Sequence, residues 1–338
     1  WFLTALLRWP GVSISSRSIR VPRNMSDAIM ICDDRIRELK ELRGDASNVL
    51  MLPVFPSSEL HGPVPRPLRA CVAQMAVPLF QNGSPTDSVS VHDPEFNAPT
   101  TRRQFRQHLT SMLAGVEQML RVRQTHLPNS GLDLLILPEL AVHPDDVRTR
   151  LLPFVRRHRC WVFTGLTYHR CDPNGPLVNS GMWIVPESTP TGGISFRIIE
   201  QGKQFLAPEE AAVFGSIVQP YRPCQWLLHW NWSSNPMARP LRLTASICYD
   251  ATDLALAAQL KRVRSDVYVI AALNRDVGTF DRMTDALHYH MYQMVVVANH
   301  GHFGGSNAYV PYREQFRRQT FHLHGQDEAI LAFFDIND

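Results

Sequence analysis

Cys248 stands in the run Thr244-Ala245-Ser246-Ile247-Cys248-Tyr249-Asp250, where an apolar strand gives way to a helix. A thiol just before a helix N-terminus meets the positive end of the helix dipole and free backbone N–H groups. There it can serve as a nucleophile, and the backbone N–H of Tyr249 would face the oxygen of a carbonyl or imidate bound to the sulfur. Glu139 ends the apolar run Leu134-Leu135-Ile136-Leu137-Pro138. Strand ends in α/β sheets frame ligand crevices, and a carboxylate partly desolvated there is raised toward the range of a general base or acid. Lys203 follows an amphipathic strand in Gly202-Lys203-Gln204-Phe205-Leu206. A fixed ammonium would hold a neighbouring thiolate ionised and stabilise the oxyanion of a tetrahedral intermediate. Each residue also has an ordinary reading. The cysteine could be a small buried hydrophobe, the glutamate an edge residue bonded to backbone or arginine, and the lysine a solvated surface charge.

Positioning three such groups requires a scaffold, and its pattern begins at Leu68. LRACVAQMAV reads as a strand, and a helix capped by Thr100 or Thr101 follows a polar loop. Its apolar positions Phe105, Leu109, Met112, Leu113, Val116, Met119 and Leu120 have helical spacing, so one stripe faces a sheet. LDLLILP reads as a strand buried on both faces. A helix over Asp145 to His158, the strand CWVFTGLTY and a hairpin of VNSGMWIVPE with ISFRIIEQ come next. LRLTASICY precedes a helix to about Arg264, and DVYVIAAL is a further buried strand. A helix over roughly Arg282 to Gln293, MVVVAN and AILAFFDI complete the order. Alternating strands and helices with later hairpins make the fold α/β.

Residues 1–66 read differently: a Ser/Arg-rich coil, one charged helix candidate and the Pro-punctuated PVFPSSELHGPVPRP. Proline fits neither a helix interior nor a central strand. The expected organisation is an N-terminal extension or linker over 1–66, the tail of a preceding domain, and one catalytic-type domain over 67–338. Starting on Trp1, the chain is expected to begin inside a longer polypeptide. WFLTALL is too short to span a bilayer, which needs roughly 20 apolar residues, so no membrane partner is expected.

The net charge is only +3, and no overall basic field points to nucleic acid or an anionic membrane. The six cysteines are irregularly spaced with no CxxC pair, which argues against a disulfide framework or a zinc ribbon and for a reducing cytoplasm. GxSxG, HExxH, P-loop and GxGxxG patterns are absent. His288/His290, His300/His302 and His322/His324 are H-x-H pairs, which on a strand would share a face and could hold a metal, although polar surface or core roles are more common. A papain-like Cys/His pair is a rival for Cys248, but it leaves Glu139 and Lys203 unexplained. Trp226, Trp230 and Trp232 could line a pocket or a dimer contact, with core packing the simpler reading.

Taken together, the motifs resemble the nitrilase superfamily of carbon–nitrogen hydrolases, in order over about residues 68–338. Ala73-Gln74-Met75 is similar to that family's first strand, Leu137-Pro138-Glu139 to its glutamate motif, and Gly202-Lys203-Gln204-Phe205-Leu206 to its lysine motif. Ser246-Ile247-Cys248-Tyr249-Asp250 resembles the nucleophile motif, Ser265-Asp266-Val267 a following turn, and Ala298-Asn299 with Gly304-Gly305-Ser306 and Pro311 the closing pattern. The resemblance implies a four-layer α-β-β-α sandwich, usually paired with a second copy as a homo-oligomer. It implies a Glu139-Lys203-Cys248 triad that hydrolyses a small-molecule amide or nitrile through a thioester, with no metal or cofactor. A second glutamate after the lysine is implied at Glu210, with Glu209 as the alternate. Two departures stand out: Ala251-Thr252-Asp253-Leu254 replaces a Phe-Pro-Glu-like segment, and His290 takes the place of a helical glutamate. The tail from Gly305 to Gln326 also resembles nitrilase domains fused behind bacterial reverse transcriptases in phage defence. That likeness implies a covalently linked upstream reverse transcriptase domain and an accessory role in assembly or ligand sensing.

Overall fold

The structure is a computed structural model that describes residues 23–31, 33, 51–54, 67–77, 93–127, 130–170, 175–189, 191–222, 224–231, 239–325 and 328–336. Two sheets dominate. One has the spatial order β16 (Ile330–Ile336), β2 (Leu68–Gln74), β3 (Leu134–Ile136), β4 (Trp161–Gly165), β7 (Ser180–Ser188) and β8 (Ile194–Gly202). The other runs β1 (Met51–Val54), β10 (Gln225–Trp230), β11 (Leu241–Ile247), β12 (Val267–Ala271), β13 (Met294–Ala298), β14 (Ser306–Tyr309) and β15 (Gln319–Leu323). Short strands β5 (His169–Arg170), β6 (Leu177–Val178) and β9 (Val218–Gln219) form a small third sheet.

The period of two along a strand sorts side chains into layers. Ala70, Val72, Leu134, Ile136, Phe163 and Trp183 point inward and pack with Leu228, Trp230, Leu243, Ala245 and Ile247 of the facing sheet. Their neighbours Cys71, Ala73, Leu135, Leu137 and Val162 point outward, beneath Phe105, Leu109, Leu113 and Val116 of helix α1 (Pro99–His126). Helix α2 (Leu152–His158) covers the same outer face through Phe154 and Val155. A short helix α3 (Pro208–Phe214) follows β8. On the other sheet, α4 (Leu254–Arg262) buries Leu256 and Leu260, and α5 (Val277–Met291) buries Phe280 and Leu287. The result is the α-β-β-α sandwich.

Several boundaries differ from the sequence reading, each for a local reason. Helix α1 begins at Pro99, behind Ala98, without a threonine cap. Proline has no N–H to leave unsatisfied in a first turn, and Asp93 instead accepts the amides of Asn97 and Ala98 just upstream, at 2.8 and 2.7 Å. Met119 is 44% exposed, at the edge of the stripe rather than in it. The helix expected over Asp145 to His158 is interrupted by a wide turn at Val147–Leu151, where the Leu152 N–H reaches Val147 O. Pro153 cannot donate to the turn before it. The helix expected straight after Cys248 is a 3-10 turn, Cys248–Thr252, before Asp253 caps α4 through the Ala255 amide at 2.9 Å.

Within the 1–66 extension, Met51–Val54 pairs in parallel with β10, and Val54 packs into the inter-sheet core. Pro53 sits there on an edge strand, the position in a sheet that tolerates a missing donor. Most of the extension, together with Cys32, Cys171 and Trp232, lies outside the described residues. Trp230 is a core residue at 1% exposure, and the half-buried Trp226 donates its indole N–H to Glu200 O at 2.7 Å.

Candidate active site

The parallel pairings β2–β3–β4 and β11–β12–β13 bring several strand ends to one edge of each sheet. Glu139 follows β3, Lys203 follows β8, Cys248 follows β11 and Leu273 follows β12. At that edge the two sheets touch through hydrogen bonds. The Lys203 ammonium donates to Glu139 Oε1 at 2.8 Å and also to Glu210 Oε2. The other oxygen of Glu139 accepts the Leu273 N–H at 2.9 Å, across the interface between sheets. The carbonyl of that same Leu273 lies 3.8 Å from the Cys248 sulfur. One peptide segment therefore holds the carboxylate with its amide and the thiol with its carbonyl. All three sequence-predicted side chains are buried, at 2%, 1% and 6% exposure for Glu139, Lys203 and Cys248.

Glu210, on the first turn of α3, belongs to this cluster, whereas Glu209 is exposed. Successive positions near a helix start point about 100° apart, so only one of the pair can face the lysine. Tyr249 sits in the first turn of the 3-10 segment after Cys248. Amides in a first turn have no intrahelical acceptor, which leaves its N–H available to a ligand oxygen.

Backbone shape is specialised around these groups. Cys248 has φ +43° and Leu140, next to Glu139, has φ +53°. Left-handed geometry at a non-glycine residue costs about 1–3 kcal/mol and persists where the surroundings over-determine it. Gly202 has no room for a side chain, since a Cβ there would lie 1.7 Å from Tyr221 O. That close approach fixes the strand end carrying Lys203.

Electrostatics set the resting protonation. Burial and the charge of Glu210 lift Glu139 above the ordinary glutamate range, against the pull of Lys203 and Asn179. For Glu210, burial is outweighed by Lys203, Asn179 and Tyr168, and its carboxyl ends below the usual value. Burial opposes the Lys203 charge, yet the two carboxylates hold it firmly protonated. Burial, with the Glu139 carboxylate beside it, pushes the Cys248 thiol far up, and Lys203 offsets this only in part. The expectation of a resting thiolate held by Lys203 is therefore corrected. The sulfur rests as a thiol with the Glu139 carboxylate alongside.

The sequence reading missed four contributors. Asn179 donates to Glu139 Oε1 at 2.8 Å and to Glu210 Oε1 at 2.7 Å, bridging the two carboxylates. The Tyr168 hydroxyl donates to Glu210 Oε1 at 3.0 Å. Asp250 accepts the amides of Gln204 at 2.9 Å and Phe205 at 2.8 Å, and pairs with Arg222 at 3.1 Å. It thereby ties the segment after Lys203 to the turn after Cys248, although burial pushes its carboxyl up to about 6. The fourth is the main chain of Leu273, which no side-chain motif can announce. A polar Asn179 inside the apolar stretch Leu177-Val178 to Trp183-Ile184 was the one usable signal.

Replacing Asn179 by leucine is expected to destabilise the fold by about 1.5–3 kcal/mol, the worth of a hydrogen bond to a charged group. Urea denaturation would check this, and an unchanged midpoint would remove Asn179 from the cluster.

No family model matches the sequence, and no curated protein matches it. Solved structures do match. An amidase from Nesterenkonia sp. AN1, carrying the result of Michael addition of acrylamide at its active site cysteine, is 16% identical with a TM-score of 0.51, over 80% of this chain and 93% of that one. A member of branch 10 of the nitrilase superfamily from Saccharomyces cerevisiae is 12% identical with a TM-score of 0.52, over 80% and 90%. Glutamine-dependent NAD+ synthetase from Acinetobacter baumannii is 12% identical with a TM-score of 0.52, over 80% of this chain and 45% of that one. The fold is of the nitrilase type.

Within that nitrilase-type fold the histidine pairs take separate places. His288 and His290 lie on a helix, not a strand. The first is buried with Nδ1 2.9 Å from Gln293 O, and the second is exposed on another side. The rings of His300 and His302 stack at 5.1 Å after β13, and those of His322 and His324 lie 4.1 Å apart, with His322 Nε2 2.7 Å from Asp281. Among the described residues no group of three or more His, Cys, Asp or Glu could hold a metal ion. No described helix is long and apolar enough to cross a membrane.

Proposed function

We propose that the chain hydrolyses the carbon–nitrogen bond of a small amide or nitrile through a covalent adduct on Cys248. The observation that carries this is the double grip on Glu139: Lys203 on one oxygen, the Leu273 amide on the other, and the Cys248 thiol beside it. A carboxylate raised above its usual range is suited to take a proton from a thiol and return it to a leaving group.

On an amide, Glu139 accepts the thiol proton as the sulfur attacks the carbonyl carbon. The C–S bond forms and the carbonyl electron pair becomes an oxyanion, which Lys203 and the Tyr249 N–H stabilise. Collapse breaks the C–N bond, and the departing amine takes the proton from Glu139. Water then attacks the thioester with Glu139 again as base, releasing the carboxylic acid and restoring the thiol. A nitrile adds the thiol across its triple bond to give a thioimidate, which water carries to the same thioester with loss of ammonia. Glu210 and Asn179 keep the lysine and Glu139 aligned throughout.

Incubation with short aliphatic amides should yield ammonia and an acyl mass increment on the Cys248 peptide. An amide turned over without any adduct in Glu139→Gln or wild-type protein would sink the thioester route. The pH profile carries a sign. Glu139 must be ionised to act, and burial holds its pKa above the ordinary glutamate range. The rate is therefore expected to fall with acidification at a pH above that of an ordinary glutamate. An acid limb at or below the ordinary value would remove Glu139 as base.

A further inference from the structure

The apolar stripe of α1 faces the sheet, so Arg103, Arg106, Thr110 and Ser111 fall on its far side, toward solvent. With Arg102 and Arg150 they line an open groove of about 770 Å3. Positions 103, 106 and 107, 110 and 111 recur at helical spacing, which sets a line of polar groups about 12 Å long at 1.5 Å per residue.

Two of the guanidinium groups are locked in place. Asp146, 1% exposed, accepts Arg102 Nη1 at 2.9 Å and Arg106 Nε at 2.8 Å. Arg102 also reaches Asp145 at 3.6 Å. Arg106 bonds through Nε alone in this pairing, which leaves its terminal nitrogens for another acceptor. Arg103 and Arg150 carry no ion pair among the described residues, and both are exposed. Four guanidinium charges thus face two carboxylates, an excess of two positive charges along the groove.

We infer that this groove binds a linear oligophosphate. Guanidinium forks match phosphate oxygens bidentately, and arginines already fixed by Asp146 lose little freedom on binding. An elongated row of donors suits several anionic groups in series better than a single one. Among the described residues the lining contains no aromatic side chain, so these residues offer no platform for stacking a base, and recognition falls to the phosphates. Apart from Pro99, the described lining residues also lack the apolar anchors that a peptide interface uses. This inference is independent of the chemistry proposed at Cys248.

Calorimetric titration of the full chain with sodium tripolyphosphate tests it. Saturable binding is expected, weakening as salt is raised from about 50 to about 200 mM. Arg103→Glu with Arg150→Glu is expected to reduce affinity at least about tenfold while the melting temperature stays put, because both side chains are exposed. Arg103→Gln with Arg150→Gln should give a smaller loss of the same sign, which guards against misfolding of the charge-reversed protein. No binding, or binding undiminished in either double variant, overturns the inference. Orthophosphate bound as tightly as tripolyphosphate would overturn the serial arrangement. A nucleoside triphosphate bound no tighter than tripolyphosphate supports phosphate-only recognition, and one bound much tighter refutes it.

Discussion

Changing Cys248 to alanine is expected to abolish the covalent adduct and to lower amide hydrolysis by roughly four orders of magnitude or more, the scale seen when a nucleophile acting as part of a unit is removed. The physical reason is that, among the described residues, no other nucleophile at the strand ends is left free to attack carbon. Glu139 is pinned by the Leu273 amide and Lys203, and the ammonium is held protonated by two carboxylates. Stability should change little, because alanine removes one sulfur atom and introduces no unpaired polar group. A haloacetamide separates this from a merely buried cysteine. In wild-type protein it should alkylate Cys248 ahead of Cys71 and Cys160, which are fully buried and whose thiols burial pushes well above their usual range. Cys248 shares the raised pKa but has a carboxylate beside it to receive the proton. Peptide mapping that shows labelling spread evenly over the cysteines would refute an activated Cys248.

Lys203→Met carries the largest expected effect on stability. The methionine fills a similar volume, yet it leaves Glu139 and Glu210 facing each other at 2% exposure and in partial burial respectively, with their shared cation gone. Removing one partner of a buried ion pair typically costs about 3–5 kcal/mol. The deficit should depend on pH. Without the ammonium, the folded-state pKa of at least one carboxyl rises above its unfolded value of about 4.3. A raised acid binds more protons in the folded state, so its stabilising contribution is present at low pH and is lost as pH rises through the folded pKa. The gap between wild type and variant is therefore expected to be widest near neutrality and to narrow toward pH 5. Urea denaturation at the two pH values measures this directly. A gap that stays constant would mean that the carboxylates are not what the lysine neutralises.

Much of the scaffold was legible because it depends on local periodicity. The buried runs at Leu134–Ile136, Val267–Ala271 and Met294–Ala298 are strands wherever one looks for apolar continuity, and the α1 stripe repeats at helical spacing. Element ends were less legible. Pro153 and Pro99 act through a missing donor, and Asp253 caps a helix that starts after a 3-10 turn, so a shift of a few residues changes which local bond wins. The contribution of Met51–Val54 was hidden for a different reason: a proline-bearing stretch of four residues becomes a strand only because β10 presents an open edge to it.

At the site, chain order and strand length were enough to put Glu139, Lys203 and Cys248 at strand ends, because each follows an apolar or amphipathic run. The family resemblance, rather than the spacing, narrowed the second carboxylate to Glu210 or Glu209. Tertiary structure alone decided that Glu210 faces the lysine, that Asn179 joins the two carboxylates and that the Leu273 backbone spans the sheets. It likewise decided that Cys248 rests protonated, reversing what the lysine motif suggested. Hydrogen bonds between residues far apart in the chain, and the desolvation that shifts a pKa, are properties of packed neighbours. The strand-end position announced the desolvation of Glu139, but the order of residues announced neither those long-range bonds nor the burial that outweighs Lys203 at Cys248.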